Sequence, residues 1–93
     1  MDLNNKVAVV TGGASGLGRA AAQELSDRGA TLVIIDMNAE AGAKAVTELG
    51  ADKTHFISLD VSNGPDVEAA FDKITADLGR VDVCVNCAGI GIA

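Results

Sequence analysis

The stretch KVAVVTGGASGLGRAAAQEL, Lys6 to Leu25, decides how the whole chain is read. Its opening, Lys6–Thr11, is a valine-rich apolar run that predicts a short strand buried on both faces. Four glycines follow among small residues, at positions 12, 13, 16 and 18. From Gly16 to Arg28 the pattern turns helical, with Leu17, Ala21 and Leu25 on one stripe and Gly29 as the stop. Backbone stripped of side chains between a strand and a helix suits a tight turn, close packing, or a ligand that must approach the main chain.

Three templates compete for these glycines. Gly13 to Gly18 has the glycine spacing of a P-loop, but Arg19 stands where the phosphate-binding Lys belongs. Ala20 replaces the hydroxyl that holds Mg²⁺. Both losses strike the chemistry and exclude nucleotide hydrolysis. Gly16-Leu17-Gly18-Arg19-Ala20-Ala21 matches the dinucleotide fingerprint as text, yet its first glycine lies too far beyond the strand to make the tight turn. The register Thr11 to Gly18, TGxxxGxG, begins where the strand ends. Gly12 then makes the turn, Gly16 lets backbone approach a pyrophosphate, and Gly18 packs helix on strand. The phosphates would sit on the helix N-terminus, where free N–H groups and the dipole favour anions. The plain alternative is a loop that needs only positive φ, but so many glycines cost backbone entropy without a ligand to justify them.

Outward from this stretch, strand and helix patterns alternate. Thr31–Asp36 is a second apolar strand ending in a carboxylate. Asn38 caps a helix to Leu49, with Ala45, Val46 and Leu49 inward and Gly50 as the stop. His55–Asp60 is a third strand. Ser62–Pro65 opens a further helix, with Pro65 in the first turn and Asp66 and Glu68 near the positive end of the dipole. Val67, Ala70, Phe71, Ile74 and Leu78 form its apolar stripe, and Gly79 ends it. Val81–Val85 is a fourth strand, and Asn86–Gly91 a loop. This β-α-β-α-β-α-β order with apolar strands predicts an α/β fold: a doubly wound, Rossmann-like parallel sheet covered on both faces. Right-handed crossovers give strand order 3-2-1-4 and a crevice at the carboxyl end of the first strand, where the glycine loop sits.

Bulk properties narrow the function. The 93 residues carry a net charge of -6, which argues against a nucleic-acid partner. Apolar runs fall well short of a membrane span, and the N-terminus has no secretory pattern. The expected setting is the cytoplasm, or the mitochondrial matrix in a eukaryote. There is no Tyr or Trp, and His55 is the single His. His55 reads as a surface or structural residue, and Arg19 as a loop cap or solvent-facing side chain. Cys84 and Cys87 form C-x-x-C, but in a strand and the loop after it, where the side chains point to opposite faces. A redox pair wants the second Cys in a helix opened by the first, and one pair is too few for structural zinc. No metal site and no catalytic residue are expected within the chain.

The TGxxxGxG register resembles the cofactor signature of the short-chain dehydrogenase/reductase family. The resemblance covers the whole chain through three further landmarks: Asp36 at the end of the second strand, Asp60-Val61 at the end of the third, and Asn86-Cys87-Ala88-Gly89 after the fourth. The family has N-N-A-G at that last place, so Cys87 replaces an amide. The resemblance implies a nicotinamide dinucleotide held by Gly12, Ser15, Gly16, Leu17 and Gly18 at the loop. Asp36 would take the adenosine ribose hydroxyls beside Met37, Asp60 and Val61 the adenine, and Asn86, Ala88 and Gly89 the nicotinamide-side ribose. Asn86 could equally just tie strands together. A carboxylate at 36 repels a 2′-phosphate, and neither Ser15 nor Met37 is cationic, so NAD is expected over NADP.

Within the family, GRVDVCVNCAGI (Gly79–Ile90) looks like the type 2 3-hydroxyacyl-CoA dehydrogenases. Family chemistry uses Ser, Tyr and Lys on a small-molecule alcohol or ketone, in dimers or tetramers. This chain has no Tyr. Residues 1–93 therefore read as the dinucleotide-binding part of a single domain without its catalytic part. The alternative is a non-catalytic dinucleotide-sensing or interaction module. Without a neighbour, VDVCV is an apolar edge, so the chain alone is expected to self-associate or fold poorly.

Overall fold

The computed structural model describes residues 2–87. Val7–Thr11 forms the central strand, β1, and all five of its residues are buried. Alternation explains this: Val7 and Val9 point to one face of the sheet, Ala8 and Val10 to the other, and both faces are covered. Thr31–Asp36 (β2) lies on one side of β1 and Val83–Asn86 (β4) on the other, while Thr54–Ser58 (β3) flanks β2. All pairings are parallel and the order is β3-β2-β1-β4, as expected from the sequence.

The crossovers are α1 (Gly16–Asp27), α2 (Ala39–Leu49) and α3 (Gly64–Leu78). On one face, Ala8, Val10, Leu32 and Ile34 pack with Ala22 of α1 and Ala45 of α2. On the other, Val7, Val9, Val33 and Ile35 meet Ile74 of α3. Val9, Val10 and Leu32 through Ile35 are almost completely buried. Each such side chain contributes about 1.5–3 kcal/mol of transfer free energy. The α3 face is the thinner one. Val83 and Val85 of β4 pack with the α1/α2 side, which leaves Cys84 and Asn86 on the α3 side, and both are exposed.

Several boundaries and faces differ from the sequence reading. The stripe on α1 is not Leu17-Ala21-Leu25: Gly18 and Ala22 are buried, Leu25 is partly buried, and Leu17 is 56% exposed. Strict four-residue spacing drifts off a helical face, whereas 18, 22 and 25 follow the 3.6-residue turn. α1 ends at Asp27, with Arg28 as the cap. β3 runs from Thr54 to Ser58, not from His55 to Asp60. Asp60 leaves the ladder because its carboxylate accepts the Ser62 N–H at 2.9 Å and the Ser62 hydroxyl at 2.7 Å, which turns the chain. α3 is capped by Asn63, whose Oδ1 accepts from the Asp66 N–H at 3.2 Å.

β4 begins at Val83, two residues later than the valine pattern suggests, and extends through Asn86. The cause is Asp82. Its carboxylate accepts the Val7 N–H at 2.8 Å, while its own N–H donates to the Val7 carbonyl at 2.9 Å. A side chain thus replaces a ladder carbonyl at the start of β1. Arg80 grips the same carboxylate through two nitrogens at 2.6–2.9 Å. That guanidinium, with the Val7 N–H second, holds the Asp82 carboxyl below the usual carboxylate range, and Asp82 raises Arg80 in turn.

Candidate functional site

The glycine loop is built by two different constraints. Gly12 (φ 70°) and Gly16 (φ 59°) occupy the left-handed region that L side chains avoid. Gly12 makes the turn: its N–H donates to the Ile35 carbonyl of β2 at 2.7 Å. Gly13 and Gly18 are there for space. A Cβ at Gly13 would lie 3.0 Å from the Val10 carbonyl oxygen and 3.1 Å from Ile34. One at Gly18 would run into the Gly12 carbonyl itself. Positive φ alone therefore does not account for the loop. Helix α1 is drawn against the end of β1, and its head is presented to the crevice.

That head differs from the other two. Ser15 caps α1 in extended conformation, but its side chain makes no capping hydrogen bond, and no acid stands in the first turn. α2 is capped by Asn38, whose Oδ1 accepts the Ala41 N–H at 3.0 Å, with Glu40 in its first turn. α3 has Asn63 and Asp66 in the same roles. The N–H groups opening α1 thus keep their positive end for an outside acceptor, where phosphate oxygens fit.

Asp36 stands at the same end of the sheet. Its Oδ2 accepts the Ala14 N–H of the loop at 3.2 Å, and its Oδ1 accepts the Asn38 N–H at 3.0 Å. Strand end and glycine loop are therefore in contact. Leu17 and Met37, 56% and 66% exposed, are the large apolar side chains left uncovered among the described residues. They belong to the loop's helix and to the residue after Asp36. A cavity of about 410 Å³ opens on the β4 side of α3, lined by Thr11, Val61, Ser62, Val67, Phe71, Cys84 and Asn86. It brings Val61 and Asn86 together at the carboxyl end of the sheet. Asp60 is exposed, and its Oδ1 is already engaged by Ser62, whose hydroxyl and then N–H hold the Asp60 carboxyl below its ordinary range. Ala88 and Gly89 lie outside the described residues.

Two participants are absent from the sequence-based site. Thr11 is buried, and its hydroxyl donates to Asn86 Oδ1 at 2.7 Å, which fastens β1 to β4 at the crevice. Asn86 does tie strands together. Ala14 joins the site only through its backbone N–H, which no side-chain pattern reveals. A hydroxyl at the end of an otherwise apolar strand was the available signal for Thr11.

Arg19 neither caps the loop nor stands free in solvent. It is mostly covered between α1 and α2, where it reaches Glu48 at 3.4 Å and Gln23 at 3.2 Å. His55 is exposed. Cys84 and Cys87 are free thiols, and the Cys87 N–H donates to the Thr11 carbonyl at 3.0 Å. Among the described residues, no cluster of three or more His, Cys, Asp and Glu could hold a metal ion, and no helix is long and apolar enough to cross a membrane.

The chain is similar to known proteins along nearly its whole length. The sequence profile described as "short chain dehydrogenase" matches residues 6–93. The chain is 44% identical over 91 residues to 3-hydroxyacyl-CoA dehydrogenase type-2 of Drosophila melanogaster, covering 98% of this chain and 35% of that protein. It is 46% identical over 88 residues to momilactone A synthase of Oryza sativa subsp. japonica, covering 95% and 32%. The 1.99 Å crystal structure of a short chain dehydrogenase from Bacillus anthracis superposes with a TM-score of 0.87 at 30% identity, over 92% of this chain and 35% of that one. The chain spans about a third of the length of the relatives it matches.

Proposed function

We infer that this chain, which belongs to the short-chain dehydrogenase family, is the NAD-binding part of an oxidoreductase that moves a hydride between NAD and a secondary alcohol or its ketone. Dehydrogenases of this family use nicotinamide cofactors. The observation that carries the reading is the uncapped head of α1 above the Gly12 turn, with Asp36 beside it. The steric fit supports it: Gly18, where a Cβ would strike the Gly12 carbonyl, lets the head of α1 lie against the loop.

In this reading the backbone from Gly16 to Gly18 binds the diphosphate. Asp36 accepts the adenosine ribose hydroxyls, with Met37 flanking, and Asp60 and Val61 border the adenine. Asn86, already bonded to Thr11, would border the nicotinamide-side ribose, a role the family resemblance also gives Ala88 and Gly89. When bound, the nicotinamide ring supplies or accepts the hydride. Asp36 also sets the preference for NAD, because a 2′-phosphate would meet its carboxylate with no cation at Ser15 or Met37 to offset the repulsion. Calorimetry with NAD and NADP is the test: NAD should bind tighter, and tighter NADP binding would remove this role from Asp36.

Residues 1–93 would then form the dinucleotide-binding part of one domain, with proton transfer supplied by a Ser-Tyr-Lys set elsewhere in a full-length protein. Reading the gene past codon 93 tests this. A downstream Y-x-x-x-K supports the enzyme, and a stop codon supports a dinucleotide-sensing module. The favoured substrate is a 3-hydroxyacyl-CoA, from the Gly79–Ile90 pattern and the similarity to the Drosophila enzyme. The similarity to momilactone A synthase makes other secondary alcohols the runners-up. Self-association is expected through β4, whose VCVN carries no charge to discourage pairing. A concentration-independent monomer in sedimentation would count against it.

A further inference from the structure

We propose that Asp36 is a positioning residue for the glycine loop, which it clasps into its binding shape before any ligand arrives; this rests on the dinucleotide reading above. The segment from Gly12 to Gly18 is rich in glycine and so has much conformational freedom to lose. Its turn is held by the Gly12 N–H on the Ile35 carbonyl. Among the described residues, the one side-chain hydrogen bond to this segment comes from Asp36, whose Oδ2 accepts the Ala14 N–H at 3.2 Å. The carboxylate is itself fixed, because its other oxygen accepts the Asn38 N–H at 3.0 Å where the chain enters α2. One side chain thus bridges the loop before α1 and the link before α2.

The bond lies next to the uncapped head of α1, since Ala14 precedes Ser15. Fixing Ala14 limits where the N–H groups opening α1 can point. A loop ordered in advance spares the ligand part of that ordering cost, so the clasp should strengthen binding at the diphosphate as well as at the ribose. A carboxylate that served the ribose alone would not strengthen the binding of a ligand lacking ribose hydroxyls.

Two measurements on the full-length protein that carries these residues separate these roles, using Asp36→Ala and Asp36→Asn. Asn keeps one oxygen, which can accept the Ala14 N–H once the Asn38 bond is given up, and Ala keeps none. In the ligand-free protein, amide hydrogen exchange at Ala14 should quicken about tenfold in Asp36→Ala relative to core amides of β1, and partly recover in Asp36→Asn. An NAD analogue carrying 2′,3′-dideoxyadenosine in place of adenosine should bind Asp36→Ala about threefold to tenfold more weakly than the unaltered chain, with Asp36→Asn closer to the unaltered chain. Unchanged Ala14 exchange together with equal binding of the analogue would overturn the clasp. NAD itself could still weaken in Asp36→Ala, and the ribose role would survive. If the unaltered full-length protein binds neither NAD nor the analogue, the dinucleotide reading falls, and Ala14 exchange still decides the clasp.

Discussion

The heads of α2 and α3 are finished in the same way, with an Asn side chain on the third N–H and an acid in the first turn. The head of α1 has neither, although Ser15 is a residue type that caps well. Two helices close their N-termini with their own side chains, and one leaves its terminus open at the crevice. The difference agrees with the proposed binding role, because a capping side chain there would compete with a ligand for the same N–H groups.

The largest expected effect strikes the open end. Gly18→Ala places a methyl against the Gly12 carbonyl, which is backbone and cannot swing aside. It should cost about 3 kcal/mol in chemical denaturation and displace the head of α1. A cost near zero would mean that α1 is not pressed onto the loop. Next come the closed ends. Asn38→Ala and Asn63→Ala should each lose about 1 kcal/mol, read from urea midpoints. Acid sharpens the contrast further. Ser62 lowers the Asp60 pKa in the fold, as Arg80 and Val7 lower that of Asp82. Groups depressed in this way stabilise the fold fully above their unfolded pKa of about 4, and that contribution is lost as pH falls through the folded value. Asp60→Asn should therefore flatten part of the loss of stability below about pH 4, and Asp82→Asn a further part. The smallest effect is expected at Ser15. With no capping bond to lose, Ser15→Ala should stay within about 0.5 kcal/mol of the unaltered chain. A loss as large as that at Asn38 would erase the distinction between open and closed heads.

The order of elements and the sheet topology were legible because β1 and β2 are apolar on both faces and each helix stripe ends in glycine. Those are local signals, and they also place Gly12 and Asp36 at the crevice. The reading failed where a long-range contact overrode local pattern. Val81 and Asp82 look like strand, but the Asp82 carboxylate bonds the Val7 N–H and delays β4. Asp60 looks like the end of β3 until its turn with Ser62 is seen. Arg19 could be assigned only once α2 brought Glu48 alongside. The bond from Ala14 to Asp36 was invisible for a related reason: its donor is backbone, so no residue type announces it.

The clasp between Asp82 and Val7 joins residues 75 apart in sequence. β1 meets β2 across one crossover helix, and β2 meets β3 across another, but β1 meets β4 only after all three helices are in place. Closing that last and longest loop costs the most chain entropy and is repaid late. Asp82 should therefore have a φ-value near zero: its removal would hasten unfolding and barely slow folding. The residue that ties β4 to β1 would then govern how long the native state lasts, and scarcely how fast it is reached.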